Sequence, residues 1–160
     1  MPLVTAIIVA AALVFVVAYG ASITAHPVIV TQDAAGTAYT FAEAIAKGDE
    51  ATALALLLPN VLIYESGEAE TSAAEYANYH LPADIAFMAG MKRDVLSRET
   101  GGDGAASWVA TKSRLRGQYK GKPVDLDSTE TLILTFTEPG WRISHIHWSS
   151  TAHREPPSSP

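Results

Sequence analysis

The chain has 160 residues, of which 48% are hydrophobic and 18% are charged, and this composition suits one globular domain with a short additional segment. It contains no cysteine, which excludes disulfides, thiolate zinc sites and cysteine nucleophiles. The formal net charge is −6, and the few Lys and Arg residues are scattered among more numerous acids, which argues against a nucleic-acid-binding protein.

The N-terminal segment differs in composition from the rest of the chain. Residues 2–31 contain no Lys, Arg, Asp or Glu, and residues 3–18 are apolar except for Thr5. A secretory signal peptide over residues 1–25 fits a short apolar run followed by small residues. An uncleaved membrane anchor is the alternative, because the run reaches membrane-spanning length when "GASITAHPVIV" is included, and a buried core helix is the third. Both favoured interpretations place the domain outside the cytoplasm, in the periplasm or the extracellular space.

The folded domain is expected to begin near Asp33 with two helices. The first ends at Lys47 and Gly48. Its apolar residues recur at helical spacing: Tyr39, Phe41, Ala42, Ile45 and Ala46. Asp49 can cap a second, short helix, and Pro59 is expected to stop it. The apolar face of that helix is predicted to be Leu54, Leu57 and Leu58.

A strand and a third helix are predicted next. The stretch "NVLIYES" alternates as a strand, which places Glu65 on the same face as Val61 and Ile63. Ser72 and Glu75 form a capping box at the start of "AAEYANYHLPADIAFMAG". Pro82 is expected to kink or restart this helix, since proline lacks the backbone N–H.

The hydrophobic period changes to that of β-strands from Lys92 onward. The stretches "KRDVLSRET", "AASWVATKSRLRGQYK", "PVDLDSTETLILTFT" and "WRISHIHWSS" predict four strands, joined by turns at "GGDG", "KGK" and "EPG". Helices followed by an antiparallel meander indicate an α+β domain over residues 33–150. The Pro- and Ser-rich residues 151–160 predict a disordered tail.

Three stretches of this sequence resemble a known family. "KGDEATALALLLPNVLIYES", "GKPVDLDSTETL" and "HIHWSS" are similar to the SnoaL-like branch of the nuclear transport factor 2-like superfamily, and the pattern covers residues 34–150. The last two stretches are also similar to the association domain of calcium/calmodulin-dependent kinases. The resemblance implies a cone-shaped, curved antiparallel sheet wrapped around three N-terminal helices, with a pocket at its open end and often a homodimer. It implies no single function, because this fold carries isomerases, cyclases, hydrolases, dehydratases and non-enzymatic binding proteins.

The first functional hypothesis is therefore a small ligand bound in the pocket of the cone. Residues of suitable chemistry for ligand binding are Tyr64, Tyr76, Trp108, Arg114 and Glu130. A lyase, isomerase or hydrolase is an alternative, with Glu65 or His80 as the general acid or base. Purely structural roles are the alternative for some of these residues. Arg114 and Glu130 are expected to form a cross-strand ion pair, and Tyr76 is expected in the core or in a dimer interface.

A metal site is the other alternative. Regular alternation along "WRISHIHWSS" would place His145 and His147 on the face of Ile143, opposite Ile146 and Trp148. If that face is concave, both imidazoles enter the cone, which the predicted third helix also crosses with His80 and Asp84. His80, Asp84, His145 and His147 would then suit a divalent metal such as zinc, copper or iron. The simpler interpretation is that these histidines hydrogen-bond within the core or to a partner subunit.

Self-association through the sheet is expected as well. Covering both faces of a curved sheet leaves Trp148, Ile146 or Trp108 in need of a partner, and exposed apolar patches of this kind mark interfaces. His153 is predicted to lie in the flexible tail. No partner other than a second copy, the small ligand and a membrane bound through the N-terminal segment is expected.

Overall fold

The computed structural model describes residues 33–155, which form four helices and six strands. The helices are α1 (Ala34–Lys47), α2 (Glu50–Ala55), α3 (Ala73–Asn78) and α4 (Leu81–Met88). The strands are β1 (Leu57–Glu65), β2 (Glu68–Glu70), β3 (Met91–Asp103), β4 (Ala106–Tyr119), β5 (Lys122–Thr137) and β6 (Gly140–Ala152). The predicted signal or anchor over residues 1–25 lies outside the described residues. Within residues 33–155, no helix combines the length and apolarity needed to cross a membrane.

The helix starts follow the caps that the sequence contains. The Asp33 carboxylate accepts a hydrogen bond from the Gly36 N–H, and the Asp49 carboxylate accepts one from the Thr52 N–H. The hydroxyl of Ser72 accepts a hydrogen bond from the Glu75 N–H, which confirms the predicted cap of α3. At its C-terminal end, α1 stops where Gly48 takes a left-handed conformation with φ 72°.

Two proline positions differ from the prediction. The expected third helix is two helices, because the chain turns at Tyr79 and His80, and Pro82 lies in the first turn of α4, where its missing N–H is not needed. Four helices therefore replace the three expected. Pro59 does not stop α2, which ends at Ala55; it lies exposed within β1, where the pairing with β6 is irregular between Leu57 and Leu62.

The six strands form one curved, open sheet in the order β2-β1-β6-β5-β4-β3. From β6 to β3 the strands are antiparallel neighbours, as expected for a meander. The prediction of a purely antiparallel sheet is wrong at one place, since β1 runs parallel to β6. A parallel pair needs a long crossover connection, and β2, α3, α4 and three long strands lie between β1 and β6 in the chain. The short β2 forms a hairpin with β1 and ends the sheet.

One side of the sheet packs on the helices and forms the core. The fully buried side chains of β1, β4, β5 and β6 on this inner face meet Phe41 of α1 and Tyr76 of α3. These strand residues are Val61, Val109, Leu132, Leu134, Ile143 and Ile146. The opposite, outer face has no helix among the described residues and leaves several large side chains exposed, including Tyr64, Trp108 and Ile133.

A β-bulge in β6 decides which side chains enter the core. Ile143 is paired with Leu134 and His145 with Ile133. Ser144 is therefore an extra residue that is opposite no residue of β5 in the strand register. The bulge interrupts the alternation of the strand, and both Ile143 and Ile146 are fully buried on the inner face. The predicted division of β6 is therefore wrong after Ile143, because regular alternation would have placed Ile143 and Ile146 on opposite faces.

The C-terminal end of the domain is more ordered than predicted. Strand β6 continues to Ala152, and the next residue, His153, is largely buried rather than part of a flexible tail. Its Nδ1 lies 3.0 Å from both carboxylate oxygens of Asp127 on β5. Residues 156–160 of the predicted tail lie outside the described residues.

Candidate functional site

A cavity of about 300 Å³ lies between the inner face of the sheet and the helices α1 and α4. Its apolar wall consists of Ala42, Ile45, Phe87, Met88, Leu115, Leu126 and Trp148. Its polar wall consists of Glu65, Asp84, Arg93, Ser113, Ser128, Glu130, Ser149 and Ser150. A concave, largely apolar site with a few converging polar groups is the usual form of a small-molecule pocket.

A hydrogen-bonded network forms the sheet side of this cavity. The Glu130 carboxylate accepts hydrogen bonds from Trp148 Nε1 at 2.9 Å and from the Arg93 guanidinium at 3.2 Å. Arg93 Nε also lies 3.4 Å from the Ser113 hydroxyl, at the long end of the hydrogen-bond range. Glu130 is only 7% exposed, and a buried carboxylate needs partners inside the protein. These two hydrogen bonds give each of its oxygens one. The network fixes the Trp148 ring as a rigid wall of the cavity.

An acidic cluster forms the helix side. The Tyr76 hydroxyl donates a hydrogen bond to Asp84 Oδ2 at 2.8 Å, and Tyr76 is fully buried. Burial raises the pKa of Asp84 to about 6, although the hydrogen bond from Tyr76 opposes this. Burial and the neighbouring Asp84 raise the pKa of Tyr76 well above its usual range. Tyr76 therefore stays protonated and acts as a hydrogen-bond donor.

Three further ionisable groups surround this pair. Burial raises the pKa of Glu65, which lies at the end of β1 and lines the cavity. Behind it, His80 Nδ1 lies 2.8 Å from Oε1 of the buried Glu70. This distance allows an ion pair when His80 is protonated. Within residues 33–155, Glu70 Oε1 has no well-aligned hydrogen bond. Contact with Glu70 raises the pKa of His80.

The arrangement is chemically suited to proton transfer. A carboxylic acid that titrates near neutral pH can both accept and donate a proton, and Asp84 holds such a group at the cavity wall. The adjacent Tyr76 hydroxyl fixes its orientation. Perturbed carboxyl groups inside a cavity are typical of catalytic and ligand-binding sites.

The structure brings some of the predicted residues together. Three of them line the cavity, namely Glu65, Asp84 and Glu130. Tyr76 does not line it but donates a hydrogen bond to Asp84, which does. His80 lies behind the cavity wall, against Glu70. Glu65 and His80, the two alternative candidates for a general acid or base, thus belong to the same acidic cluster. Tyr76 has the predicted core position.

Three of the predicted ligand-binding residues lie on the outer face instead. Arg114 forms two hydrogen bonds of 2.7 Å with Asp125 and does not pair with Glu130, whose partner is Arg93. Trp108 is 40% exposed, and its ring covers Gly101, where an added Cβ would lie 2.5 Å from the ring. The third, Tyr64, is exposed and does not reach the cavity.

The histidines of β6 also lie on the outer face. Because of the bulge at Ser144, His145 and His147 point away from the cavity and contact Tyr64, with ring centroids 5.3 and 6.4 Å apart. The expectation that they enter the cone is wrong, and His80 lies on the other side of the sheet. Within residues 33–155, no three His, Asp or Glu side chains are grouped to hold a metal ion.

Sequence reasoning missed Arg93 and Ser113 as parts of the site. Arg93 lies on the edge strand β3, where a charged residue normally indicates solvent exposure. One available signal was the alternation of β5, which places Glu130 on the same face as Leu132 and Leu134. A carboxylate on such a face needs a buried cation as its partner. This requirement indicates that a nearby strand contributes a basic residue.

Comparisons with known proteins identify relatives of the whole domain. The family model described as SnoaL-like domain matches residues 37–153. A candidate ketosteroid isomerase from Shewanella frigidimarina NCIMB 400 is 37% identical, with 74% of this chain and 96% of that chain aligned and a TM-score of 0.71. No match is found among functionally curated proteins.

Two further solved structures support the fold alone. A candidate calcium/calmodulin-dependent protein kinase II association domain from Xanthomonas campestris is 20% identical, with 77% and 92% of the two chains aligned and a TM-score of 0.63. The association domain of the same kinase from C. elegans is 19% identical, with 74% and 93% aligned and a TM-score of 0.59.

Proposed function

The chain belongs to the SnoaL-like domain family, and from that premise we propose that it binds a small molecule in the cavity between α1, α4 and the sheet. The cavity itself carries this proposal. Its apolar wall offers burial to a ligand skeleton, while the carboxylates and hydroxyls of its polar wall can orient a polar group. The rigid Trp148 wall, held by Glu130, indicates a preformed site.

Filling the cavity is expected to abolish binding. Ala42 lines the cavity from α1, so Ala42→Leu would occupy ligand space without breaking the helix. We expect the affinity for 2-phenylethanol, a small neutral probe, to fall by at least about tenfold, since overfilled sites reject ligands sterically. Binding is followed by the NMR shift of the Trp148 indole N–H, and the outer-face Trp108 indole serves as an internal control.

A matched variant makes this test specific. Ala46 lies on the same helix but is exposed, so Ala46→Leu adds the same atoms outside the cavity and should leave binding unchanged. Unaltered affinity in Ala42→Leu would show that the probe binds elsewhere and would overturn the proposal.

An acid–base enzyme acting on the same ligand is the second candidate. One specific feature favours it: the Asp84 carboxyl lines the cavity, burial raises its pKa to about 6, and the hydrogen bond from Tyr76 orients it. The relative from Shewanella frigidimarina, described as a candidate ketosteroid isomerase, fits a reaction of this proton-shifting kind. The candidate requires that Asp84 change charge around pH 6, which the pH dependence of unfolding measures.

Export of the domain is also part of the proposal. It is supported by residues 2–31, which contain no Lys, Arg, Asp or Glu and include the apolar run of residues 3–18. On this proposal residues 1–25 direct the chain to the periplasm or the extracellular space, either as a cleaved signal or as a membrane anchor, and are not needed for folding.

The last part of the proposal is that the chain self-associates as a homodimer. The outer face carries a row of paired residues that crosses β4, β5, β6 and β1, namely Trp108, Ile133, His145 and Leu62, with Tyr64 beside it. Trp108, Ile133 and Tyr64 are each at least 40% exposed, and apolar patches of this kind commonly mark interfaces. Of the residues expected in the interface, Ile146 and Trp148 face the core instead, so only Trp108 remains.

Residues 30–160 expressed alone are expected to fold and to sediment at twice the mass of one chain. Ile133→Glu, which places a charge in the middle of the outer-face row, should give monomers without unfolding the domain. Leu96→Glu is the control, because Leu96 is also exposed, at 55% against 42% for Ile133, but lies on the edge strand β3. An unfolded product would show that the N-terminal segment belongs to the core, and a monomeric wild type would exclude the dimer.

A further inference from the structure

The charges around the cavity are not balanced. Among the side chains that line it are three carboxylates, those of Glu65, Asp84 and Glu130, and one cation, the guanidinium of Arg93. Arg93 is already paired with Glu130 at 3.2 Å and lies beside Ser113. Its charge is therefore balanced within the sheet wall, and among the described residues of the lining no second cation faces Glu65 and Asp84.

His80, the basic residue behind the acidic cluster, also has a partner already. His80 lies against the buried Glu70, with Nδ1 2.8 Å from Oε1. Within residues 33–155, the Glu65 carboxylate has neither a hydrogen bond nor an ion pair, and the Asp84 carboxylate has only the hydrogen bond that Tyr76 donates to Oδ2. The cavity thus presents carboxylate oxygens that accept hydrogen bonds and still lack donors.

The rest of the lining is apolar and aromatic. Trp148 and Phe87 present ring surfaces to the cavity, and Ile45, Met88 and Leu126 complete the apolar wall. Aromatic faces attract cations, and apolar walls bind the carbon skeleton of a ligand. The volume of about 300 Å³ lies at the lower limit for small-molecule sites, which restricts the ligand to a skeleton of about one or two rings.

We infer that the ligand class is a protonated amine carried on a small apolar or aromatic skeleton, with Glu65 and Asp84 receiving its ammonium group. This inference rests on the proposed binding function and specifies its ligand. An ammonium group supplies both the missing positive charge and the missing donors, and such charge-assisted hydrogen bonds are stronger than neutral ones. A ligand carboxylate would instead meet three carboxylates in a site of low polarity and would be repelled.

Three probes with similar skeletons separate the charge from the skeleton: phenethylamine, 2-phenylethanol and 3-phenylpropionate. Each is titrated into the full-length chain at pH 8, and its dissociation constant is taken from the shift of the Trp148 indole N–H. We expect the amine to bind at least about tenfold more tightly than the alcohol, because hydrogen bonds to charged groups contribute that much. The carboxylate should bind most weakly.

Glu65→Gln keeps the size of the side chain and removes its charge. We expect this variant to lose about tenfold or more in affinity for phenethylamine, so that the amine no longer binds more tightly than 2-phenylethanol. Asp125→Asn is the matched control, since Asp125 is an exposed carboxylate paired with Arg114 on the outer face. It makes the same change in net charge outside the cavity and should leave all three affinities unchanged.

The outcomes that overturn the inference differ from those that overturn the binding function. If the alcohol shifts the Trp148 signal and the amine binds no more tightly, the cavity is a binding site but not one for cations. The same holds if Glu65→Gln binds the amine as wild type does while circular dichroism shows a folded protein. If none of the three probes shifts the Trp148 signal at millimolar concentration, both the inference and the proposed function fail.

Discussion

Replacing Ile146 with alanine is expected to lower the free energy of unfolding by about 2–5 kcal/mol, the range found for large-to-small changes in cores. Ile146 is fully buried and is paired with Ile63 of β1 and Leu132 of β5, so it packs where two halves of the sheet meet. Removing three carbon atoms there leaves a space that neighbours from three strands cannot easily fill.

The next residue along the strand provides the control. His147 is exposed on the outer face beside Tyr64, and His147→Ala should change the free energy of unfolding by less than about 0.5 kcal/mol. Urea unfolding of the two variants measures the difference, provided that their m-values agree. A loss in His147→Ala as large as that in Ile146→Ala would mean that the histidines enter the core and that the bulge at Ser144 is misplaced.

The stability of the domain is also expected to depend on the charge of Asp84. Burial raises the pKa of Asp84 to about 6 in the folded protein, against 3.8 in the unfolded chain. Between these two pH values the folded protein keeps a proton that the unfolded chain releases, so the contribution of this group to stability falls as the pH rises. One pKa unit corresponds to about 1.4 kcal/mol, so ionised Asp84 costs about 2–3 kcal/mol above pH 6.

Asp84→Asn removes this titration while keeping an oxygen that accepts the hydrogen bond from Tyr76. Compared with wild type, the variant should gain about 2–3 kcal/mol between pH 3.5 and pH 7, as measured by denaturant unfolding at each pH. Asp125→Asn should behave in the opposite sense. Its hydrogen bond with Arg114 lowers the pKa of Asp125, so the variant is less stable than wild type at neutral pH and approaches it in acid. A difference curve for Asp84→Asn that is flat with pH would remove the basis for the acid–base candidate.

Features that depend on neighbouring residues could be predicted from the sequence. The caps at Asp49 and Ser72 and the turn at Lys120 and Gly121 involve groups only a few residues apart, and the structure has them as expected. The α+β class also follows from local periods. The parallel pairing of β1 with β6 could not be predicted, because it depends on which strand edge is free once the meander has formed.

The site was only partly predictable for the same reason. Alternation places Glu65 and Glu130 on core-facing sides of their strands, and this holds. Alternation fails where one residue is added, and the bulge at Ser144 moved His145 and His147 to the other face. The partner of Glu130 is Arg93, which is 37 residues away in the chain, and no local pattern connects the two.

The parallel pairing of β1 with β6 also determines when the domain can fold during synthesis. The first described strand, β1, joins the meander only by pairing with residues 143–148 of β6, so β1 and β2 cannot be added to it until Trp148 has left the ribosome. Contacts between such distant segments form slowly, because a long loop must close before they are gained. A nascent chain of this topology therefore remains incompletely folded, with its future core exposed, throughout translation.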